Sequence, residues 1–156
     1  MERADVLEVI GEYLAVLRSG RDASEGALCR SLDRLAVAVQ PVSACSHDAS
    51  HPEPPGRTYE AWRKVIGASF PGLGYYYCVQ PMEPLAENVG KAEPTLGDAI
   101  DDLADIAGDL EEVQFRWRSC SEDALFHFAF LYWAHWGAHL RNLQLYLHDR
   151  LRSGQL

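Results

Sequence analysis

Apolar residues recur every three or four positions along much of this chain, the spacing that places them on one face of an α-helix. Residues 2–18 show this stripe at Val6, Val9, Ile10, Tyr13, Leu14 and Leu17. The turn "RSGRDAS" then supplies a glycine stop and a polar cap for a second helix that runs to about Val39. We therefore predict two antiparallel helices joined by a short turn.

The helical period is lost in the 40–57 segment, where four prolines accompany His47 and His51. This composition predicts a long irregular loop, and we interpret the two histidines as loop residues whose role stays open. Residues 58–70 regain the period and predict a short third helix that Pro71 ends. The aromatic segment near 72–84, "GLGYYYCVQPMEP", predicts an extended stretch without an obvious partner strand, in which at least one tyrosine is exposed.

Two long helices occupy the C-terminal part of the chain, from about Thr95 to Arg118 and from about Glu122 to Leu151. The first has one apolar stripe, formed by Leu96, Ala99, Leu103, Ile106, Leu110, Val113 and Trp117. The second is apolar around most of its circumference, which favours a central position in a bundle. We predict that residues 1–156 form a single all-α, bundle-like domain of about five helices, with the last helix central.

Acidic side chains of the first long helix form a band beside its apolar stripe. Asp98 and Asp101 suit the helix dipole in the first turn, and with Glu112 they are interpreted as a solvated face. The remaining three lie at or near the boundary with the core: Asp102, Asp105 and Asp109. For these, a solvated face and a specific role are both open.

One polar line crosses the apolar last helix. It consists of His135, His139 and Asn142, whose spacings of four and three stack the side chains on one face. Because the loop "SCSED" is short, the two long helices should be antiparallel neighbours, with this line at the height of the boundary aspartates. The resulting seam could be a network of carboxylate–histidine pairs. It could instead hold a divalent metal through Asp105, Asp109, His135 and His139.

Composition narrows the classes of partner and compartment. The formal net charge of −9 argues against nucleic acid as the main partner, because that surface is normally basic. The sequence has neither a run of about twenty apolar residues that could span a bilayer nor a signal-peptide pattern, so we expect a cytoplasmic protein without a membrane partner. The four scattered cysteines are expected to be free thiols.

Known metal-site motifs match only in part. "DDLAD" has the D-D-x-x-D pattern of prenyl-diphosphate enzymes, but the chain of 156 residues is too short for their fold. "HWGAHLRNLQ" looks like the late motif of DinB/YfiT-type helical bundles, in which two histidines at i and i+4 bind a metal with a third from an earlier helix. An aspartate would have to replace that third histidine here. The resemblance implies a metal-dependent hydrolase or transferase.

A sharper resemblance combines "FPGLGYYYCV", "LGDAIDDLADIAGDLEE" and "HWGAHLRNLQLYLH". Together these segments resemble the bacterial family catalogued as domain of unknown function 5063, with its D-D-L-x-D-I-x-x-D-L run, H/Y-W-G segment and terminal L-x-x-L-H. The resemblance implies a small cytoplasmic α-helical domain and no particular activity. It singles out the same aspartates and histidines as the facing-helix argument.

Two functional hypotheses follow from the sequence. The first is a structural or partner-binding module in which the seam sets helix register and exposed aromatic residues contact a protein partner or a second copy of the chain. The second is a metal-dependent hydrolase or transferase that uses the same seam. The sequence favours the first hypothesis because it contains no complete catalytic motif and no certain cofactor site.

Overall fold

The computed structural model describes residues 3–40, 59–79 and 93–154. The elements are α1 (Arg3–Leu17), α2 (Glu25–Ala38), α3 (Tyr59–Ser69), β1 (Tyr75–Cys78), β2 (Thr95–Asp98), α4 (Ala99–Trp117), α5 (Ser121–Leu131) and α6 (Gly137–Arg152). A π-helical turn, Tyr132–Trp136, joins α5 to α6. Counting that joined segment as one helix, the structure confirms the predicted all-α domain of about five helices. Most of the predicted 40–57 loop, including His47 and His51, lies outside the described residues.

The α1–α2 pair forms as the apolar stripe predicts. A left-handed turn at Gly20, where φ is +61°, follows α1 and begins a short 3₁₀ turn. Ser24 then caps α2 by accepting a hydrogen bond from the Ala27 amide. The predicted stripe of α1 is fully confirmed, since each of its members from Val6 to Leu17 is buried.

The central helix of the described bundle is α4, not the last helix. It packs against α1, α3, α5 and α6, whereas α6 packs against α2 and α4. The apolar circumference predicted for the last helix divides between α5, the π turn and α6, and part of it reaches the surface. Phe130, Trp133 and Leu145 are exposed by 49%, 80% and 71%. The sequence pattern overestimated the burial of this segment because it treated three differently oriented stretches as one regular helix.

A small antiparallel sheet corrects the predicted start of the fourth helix. Residues Thr95–Asp98 form β2 and pair with β1, so the extended tyrosine segment has a partner strand. Asp98 is the N-cap of α4, and its side chain accepts from the Ile100 amide. Leu96, predicted in the helix core stripe, is instead 64% exposed on the strand. The helical pattern predicted the wrong structure here because these residues pair with a strand about twenty positions earlier, and local periodicity does not contain that pairing.

The strand alternation sorts the three tyrosines. Tyr75 and Tyr77 are exposed by 70% and 78%, which confirms the prediction that at least one tyrosine of the extended segment stays exposed. Tyr76 points the other way, because successive side chains of a strand face opposite sides. It packs against the hydrophobic core.

The described cysteines Cys29 and Cys78 are free thiols, as predicted, and Cys45 lies outside the described residues. Within the three described ranges, the helices are too short or too polar to cross a bilayer.

Replacement of Tyr13 by phenylalanine is expected to lower the free energy of unfolding by about 1 kcal/mol. The ring of Tyr13 is fully buried in α1, and its hydroxyl donates to the Leu103 carbonyl of α4 at 3.1 Å. The exchange keeps the packed ring and removes one buried hydrogen bond. Urea denaturation measures the effect. An unchanged midpoint would show that this link between α1 and α4 contributes nothing to stability.

Candidate functional site

The boundary aspartates of α4 face the histidines of the last helical segment. Nδ1 of His139 lies 2.7 Å from Oδ1 of Asp102, and Nδ1 of His135 lies 2.8 Å from Oδ2 of Asp109. The pairs run in opposite chain order because the connection between α4 and α5 is short and makes the helices antiparallel. The structure therefore brings predicted seam residues together in two carboxylate–histidine pairs. We call the group of Asp102, Asp105, Asp109, His135 and His139 the Asp/His seam.

Asp105 lies between the two pairs along α4. Its Oδ2 is 3.7 Å from Nε2 of His139, the ring nitrogen that does not contact Asp102. Asp105, His135 and His139 each offer one ligand atom, and these atoms all lie within 4.8 Å of one another. The two imidazole rings meet edge to face with their centroids 4.9 Å apart. Within the described residues, this set is the one that could hold a metal ion.

Asp109 makes a different contact from Asp105. Its Oδ2 contacts Nδ1 of His135, and it does not belong to the converging set of Asp105, His135 and His139. The sequence placed Asp109 and Asp105 together as metal ligands because both lie in the same acidic band. The side-chain geometry separates their roles. Asp109 holds the imidazole of His135, and Asp105 lies near the imidazoles of both His135 and His139.

The sequence missed Tyr76 as a member of this region. Its hydroxyl donates a hydrogen bond to Oδ2 of Asp102, so Asp102 contacts Tyr76 and His139 through different oxygens. The ring of Tyr76 stacks on Tyr146 of α6, with centroids 4.8 Å apart. The available signal was the alternation in "GYYY", which predicts that the middle tyrosine faces opposite to its neighbours. It did not indicate which element that tyrosine would meet.

Asn142 lies one helical turn beyond His139 and lines a groove of about 720 Å³ beside Tyr76 and Tyr146. Tyr76, rather than an α6 residue, supplies the second partner of Asp102. Asn142 was predicted with the other five residues of the polar line and acidic band, but in the structure it lies beside the Asp/His seam and lines the groove.

The residues predicted as a solvated acidic face are instead tied to basic neighbours. Arg63 of α3 contacts both Asp98 and Asp101 at 2.9 Å. Glu112 accepts from Arg116 at 2.8 Å in a pair one helical turn apart. Helical periodicity could show that these carboxylates leave the core stripe. It could not show that Arg63 of a second helix would reach Asp98 and Asp101.

Electrostatics within the seam follow from burial and from the close carboxylates. The hydrogen bond to Asp102 raises the pKa of His139 above its ordinary value, with further contributions from Asp105 and Asp101. Burial raises the pKa of Asp109 although its contact with His135 opposes the change. Burial also raises the pKa of the Tyr76 hydroxyl, and the bond to Asp102 adds to it, so Tyr76 stays a protonated donor.

Exposure increases along the seam toward His135. The side chains of Asp102 and Asp109 are 10% and 17% exposed, while those of His139 and His135 are 26% and 46% exposed. The carboxylates that hold the rings are therefore more enclosed than the rings themselves. A small ligand or ion could reach the histidines from solvent without a rearrangement of the core.

The π-helical turn sets the direction of His135. The Gly137 amide donates to the Tyr132 carbonyl, five residues earlier, instead of continuing the α-helical pattern. Trp136 from the same turn is fully buried and packs on Phe128, with ring centroids 5.4 Å apart. His135 belongs to the turn and His139 to α6, so the π turn ends between the two histidines. Single-turn π bulges occur frequently at functional sites.

Fold and site together define a small all-α domain with an Asp/His seam between two neighbouring helices. No family model matches the chain, and no curated protein matches it. The fold is similar to that of protein BF1032 from Bacteroides fragilis, whose crystal structure superposes with a TM-score of 0.71 at 18% sequence identity. The similarity covers 94% of this chain and 89% of that chain. At this identity the comparison establishes the fold alone.

Proposed function

We propose that this chain is a metal-binding helical domain that holds one divalent transition-metal ion through Asp105, His135 and His139. The observation that carries the proposal is the convergence of one ligand atom from each of these residues within 4.8 Å. Two imidazoles and a carboxylate are donors that suit ions such as Zn²⁺ and Fe²⁺. The histidine spacing of four residues, from the sequence "HWGAH", brings both rings to one side of the helical segment.

The outer contacts of the two rings support the proposal. Metal-binding histidines usually donate their second ring nitrogen to a carboxylate, a carbonyl or water, which selects the tautomer and the ring orientation. Here Asp102 and Asp109 occupy that position against Nδ1 of His139 and His135. Nε2 of each ring is then the nitrogen available to an ion. If the aspartates and the histidines were simply solvent-exposed surface residues, a carboxylate would not be needed against Nδ1 of both rings.

The ion would retain open coordination positions. Three protein ligands leave room for water or substrate, as in catalytic zinc sites, and the exposure of His135 gives access from solvent. When bound, such an ion supplies a Lewis acid that lowers the pKa of water. This chemistry supports the hydrolase or transferase class as the activity of the site. The carboxylates of Asp102 and Asp109 orient the imidazoles, and the negative charge of Asp105 attracts a cation.

A second candidate function is a structural or partner-binding module. It is supported by the aromatic and apolar side chains at the surface, of which Trp133 and Tyr77 are exposed by 80% and 78%. In this case the carboxylate–histidine pairs hold α4 in register with the π turn and α6, and a protein or a second copy of the chain covers the aromatic residues. The two candidates differ in whether the seam binds a metal.

We also propose that the chain is a relative of the bacterial domain of unknown function 5063. The acidic run and the H-W-G segment that carry this resemblance are the segments that meet in the seam. Members of that family with equivalent aspartates and histidines should therefore bind the same class of ion. Metal analysis of one such member would test the extension of the proposal to the family.

Metal analysis of protein purified without a histidine tag tests the proposal. We expect about one equivalent of Zn²⁺ or Fe²⁺ per chain after reconstitution and dialysis, because three ligands converge at one place. The double variant His135→Ala, His139→Ala should lose this equivalent. His148→Ala is the matched control, since His148 is an exposed histidine of the same helix and lies outside the seam. It should retain the wild-type metal content.

Two results would contradict metal binding. One is wild-type protein that retains no Zn²⁺, Fe²⁺ or Mn²⁺ after reconstitution. The other is a folded double variant with unchanged metal content. Either result would favour the partner-binding module, for which concentration-dependent self-association that Trp133→Ala abolishes would be the supporting observation.

A further inference from the structure

The structure assigns to Tyr76 the role of a positioning residue for the metal site, and it makes the β1–β2 sheet part of that site. The inference rests on the proposed function. Tyr76 does not touch the ion or the histidines. It acts through Asp102, the carboxylate that holds His139.

Both oxygens of Asp102 are used, and by different elements. Oδ2 accepts from the Tyr76 hydroxyl of β1, and Oδ1 lies 2.7 Å from Nδ1 of His139 in α6. The Asp102 side chain is 10% exposed, so few water molecules can replace either partner. A protonated tyrosine donates to a carboxylate, and the second oxygen of that carboxylate then accepts the Nδ1 proton of His139. This arrangement leaves the lone pair of Nε2, which lies 3.7 Å from Oδ2 of Asp105, available to the proposed ion.

The sheet register allows Tyr76 to reach Asp102. Tyr76 pairs with Gly97 across the two strands, and a Cβ at Gly97 would lie 2.6 Å from Cζ of the tyrosine ring. The ring therefore occupies the space that any other residue at position 97 would fill. Its stacking on Tyr146, at 4.8 Å and an interplanar angle of 17°, ties it to α6. Two short strands, a glycine and an aromatic contact thus place one hydroxyl on one carboxylate.

Tyr76→Phe tests the role of the hydroxyl alone. The exchange keeps the ring and its stacking. We expect Zn²⁺ affinity to fall by up to about 10-fold, because removal of a direct outer-shell partner costs about 10- to 100-fold and Tyr76 acts one contact further out, through Asp102. The absorption bands of the Co²⁺-substituted protein should shift as His139 loses its orientation. Tyr77→Phe is the matched control, because Tyr77 is the next residue of the strand and 78% exposed. Its affinity and spectrum should equal those of the wild type.

Gly97→Ala tests the same role without removing a polar group. The added methyl must displace the Tyr76 ring, so we expect loss of Zn²⁺ affinity and a Co²⁺ spectrum that resembles that of Tyr76→Phe. Affinities are measured by competition with a chromophoric chelator at a temperature where circular dichroism shows each variant folded. A contribution of Tyr76 to stability alone would lower the melting temperature of the metal-free protein and leave affinity and spectrum unchanged.

The outcomes separate this inference from the proposed function. Absence of metal binding by the wild type would overturn both. Normal metal binding by the wild type, with the same affinity and Co²⁺ spectrum in Tyr76→Phe, would overturn only the role of Tyr76. If Tyr76→Phe does not fold, the spectrum and affinity of Gly97→Ala decide in the same way.

Discussion

Replacement of Gly137 by alanine is expected to lower the free energy of unfolding by about 1–3 kcal/mol or more, the usual range for overpacking. In an ordinary helix the same exchange stabilises the protein, since alanine is favoured over glycine by about 1 kcal/mol. The reason is the π-helical turn. A Cβ at Gly137 would lie 2.3 Å from the Tyr132 carbonyl oxygen and 2.9 Å from its ring. Backbone cannot move aside as a flexible side chain can, so the turn itself must rearrange.

Gly108→Ala is the matched control for this prediction. Gly108 lies on the exposed side of α4, and no neighbouring atom lies within 4 Å of an added Cβ. Alanine there should raise the free energy of unfolding by up to about 1 kcal/mol. Urea denaturation of the metal-free proteins measures both changes. Equal stabilisation by the two exchanges would show that the turn at Tyr132–Trp136 is an ordinary α-helix in solution.

Gly137→Ala should also affect the proposed ion site. His135 lies within the π turn and His139 beyond it, so a rearranged turn changes the distance and angle between the two rings. We expect Gly137→Ala to bind Zn²⁺ more weakly than the wild type at a temperature where both are folded. Gly108→Ala should leave the affinity unchanged, because α4 keeps its course.

Replacement of Arg116 by methionine is expected to lower the free energy of unfolding by about 3–5 kcal/mol, as for other buried ion pairs that lose one member. Nη1 of Arg116 donates to Oδ2 of Asp123 at 3.2 Å, and the Asp123 side chain is 1% exposed. Methionine retains most of the packed length of arginine and removes the charge. The carboxylate of Asp123 then keeps its buried position and its contact with His127, at 3.5 Å, but loses the guanidinium of Arg116.

Two further variants identify the cause of this loss. Arg118→Met removes an exposed arginine just after α4, and its effect on urea denaturation should be within about 0.5 kcal/mol of zero. The double variant Arg116→Met, Asp123→Ala should be more stable than Arg116→Met alone, because it removes the buried charge as well. A double variant that is less stable than the single one would show that lost packing, and not the loss of the guanidinium from the buried carboxylate, causes the effect.

Helical periodicity by itself identifies most of the candidate site. It places Asp102, Asp105 and Asp109 at one boundary of α4, and it places His135 and His139 on one face of the last segment. The short connection between the helices then implies an antiparallel arrangement and equal heights. These are local rules, since the spacing of three or four residues and the length of a loop can be read from a few neighbouring positions.

The exact roles within the seam required side-chain positions. Asp105 and Asp109 belong to the same acidic band beside the apolar stripe, and the sequence pattern assigns both to the possible metal site without separating their roles. In the structure Asp109 contacts Nδ1 of His135, and Asp105 lies near Nε2 of His139. The difference depends on the rotation of α4 relative to its neighbour and on the π turn. Both are set by the packing of Trp136, Phe128 and the surrounding core.

The amino-acid sequence by itself determined the helical class, the buried stripe of α1, the two-helix pair at the N-terminus and the facing of acidic and histidine residues. These properties depend on the periodicity of apolar side chains and on short loops. The tertiary structure decided the partner strand for Tyr75–Cys78, the start of α4 at Ala99, the central place of α4 and the contact between Tyr76 and Asp102. Each of these joins residues that are distant in sequence, so their free energy depends on packing that no local window contains.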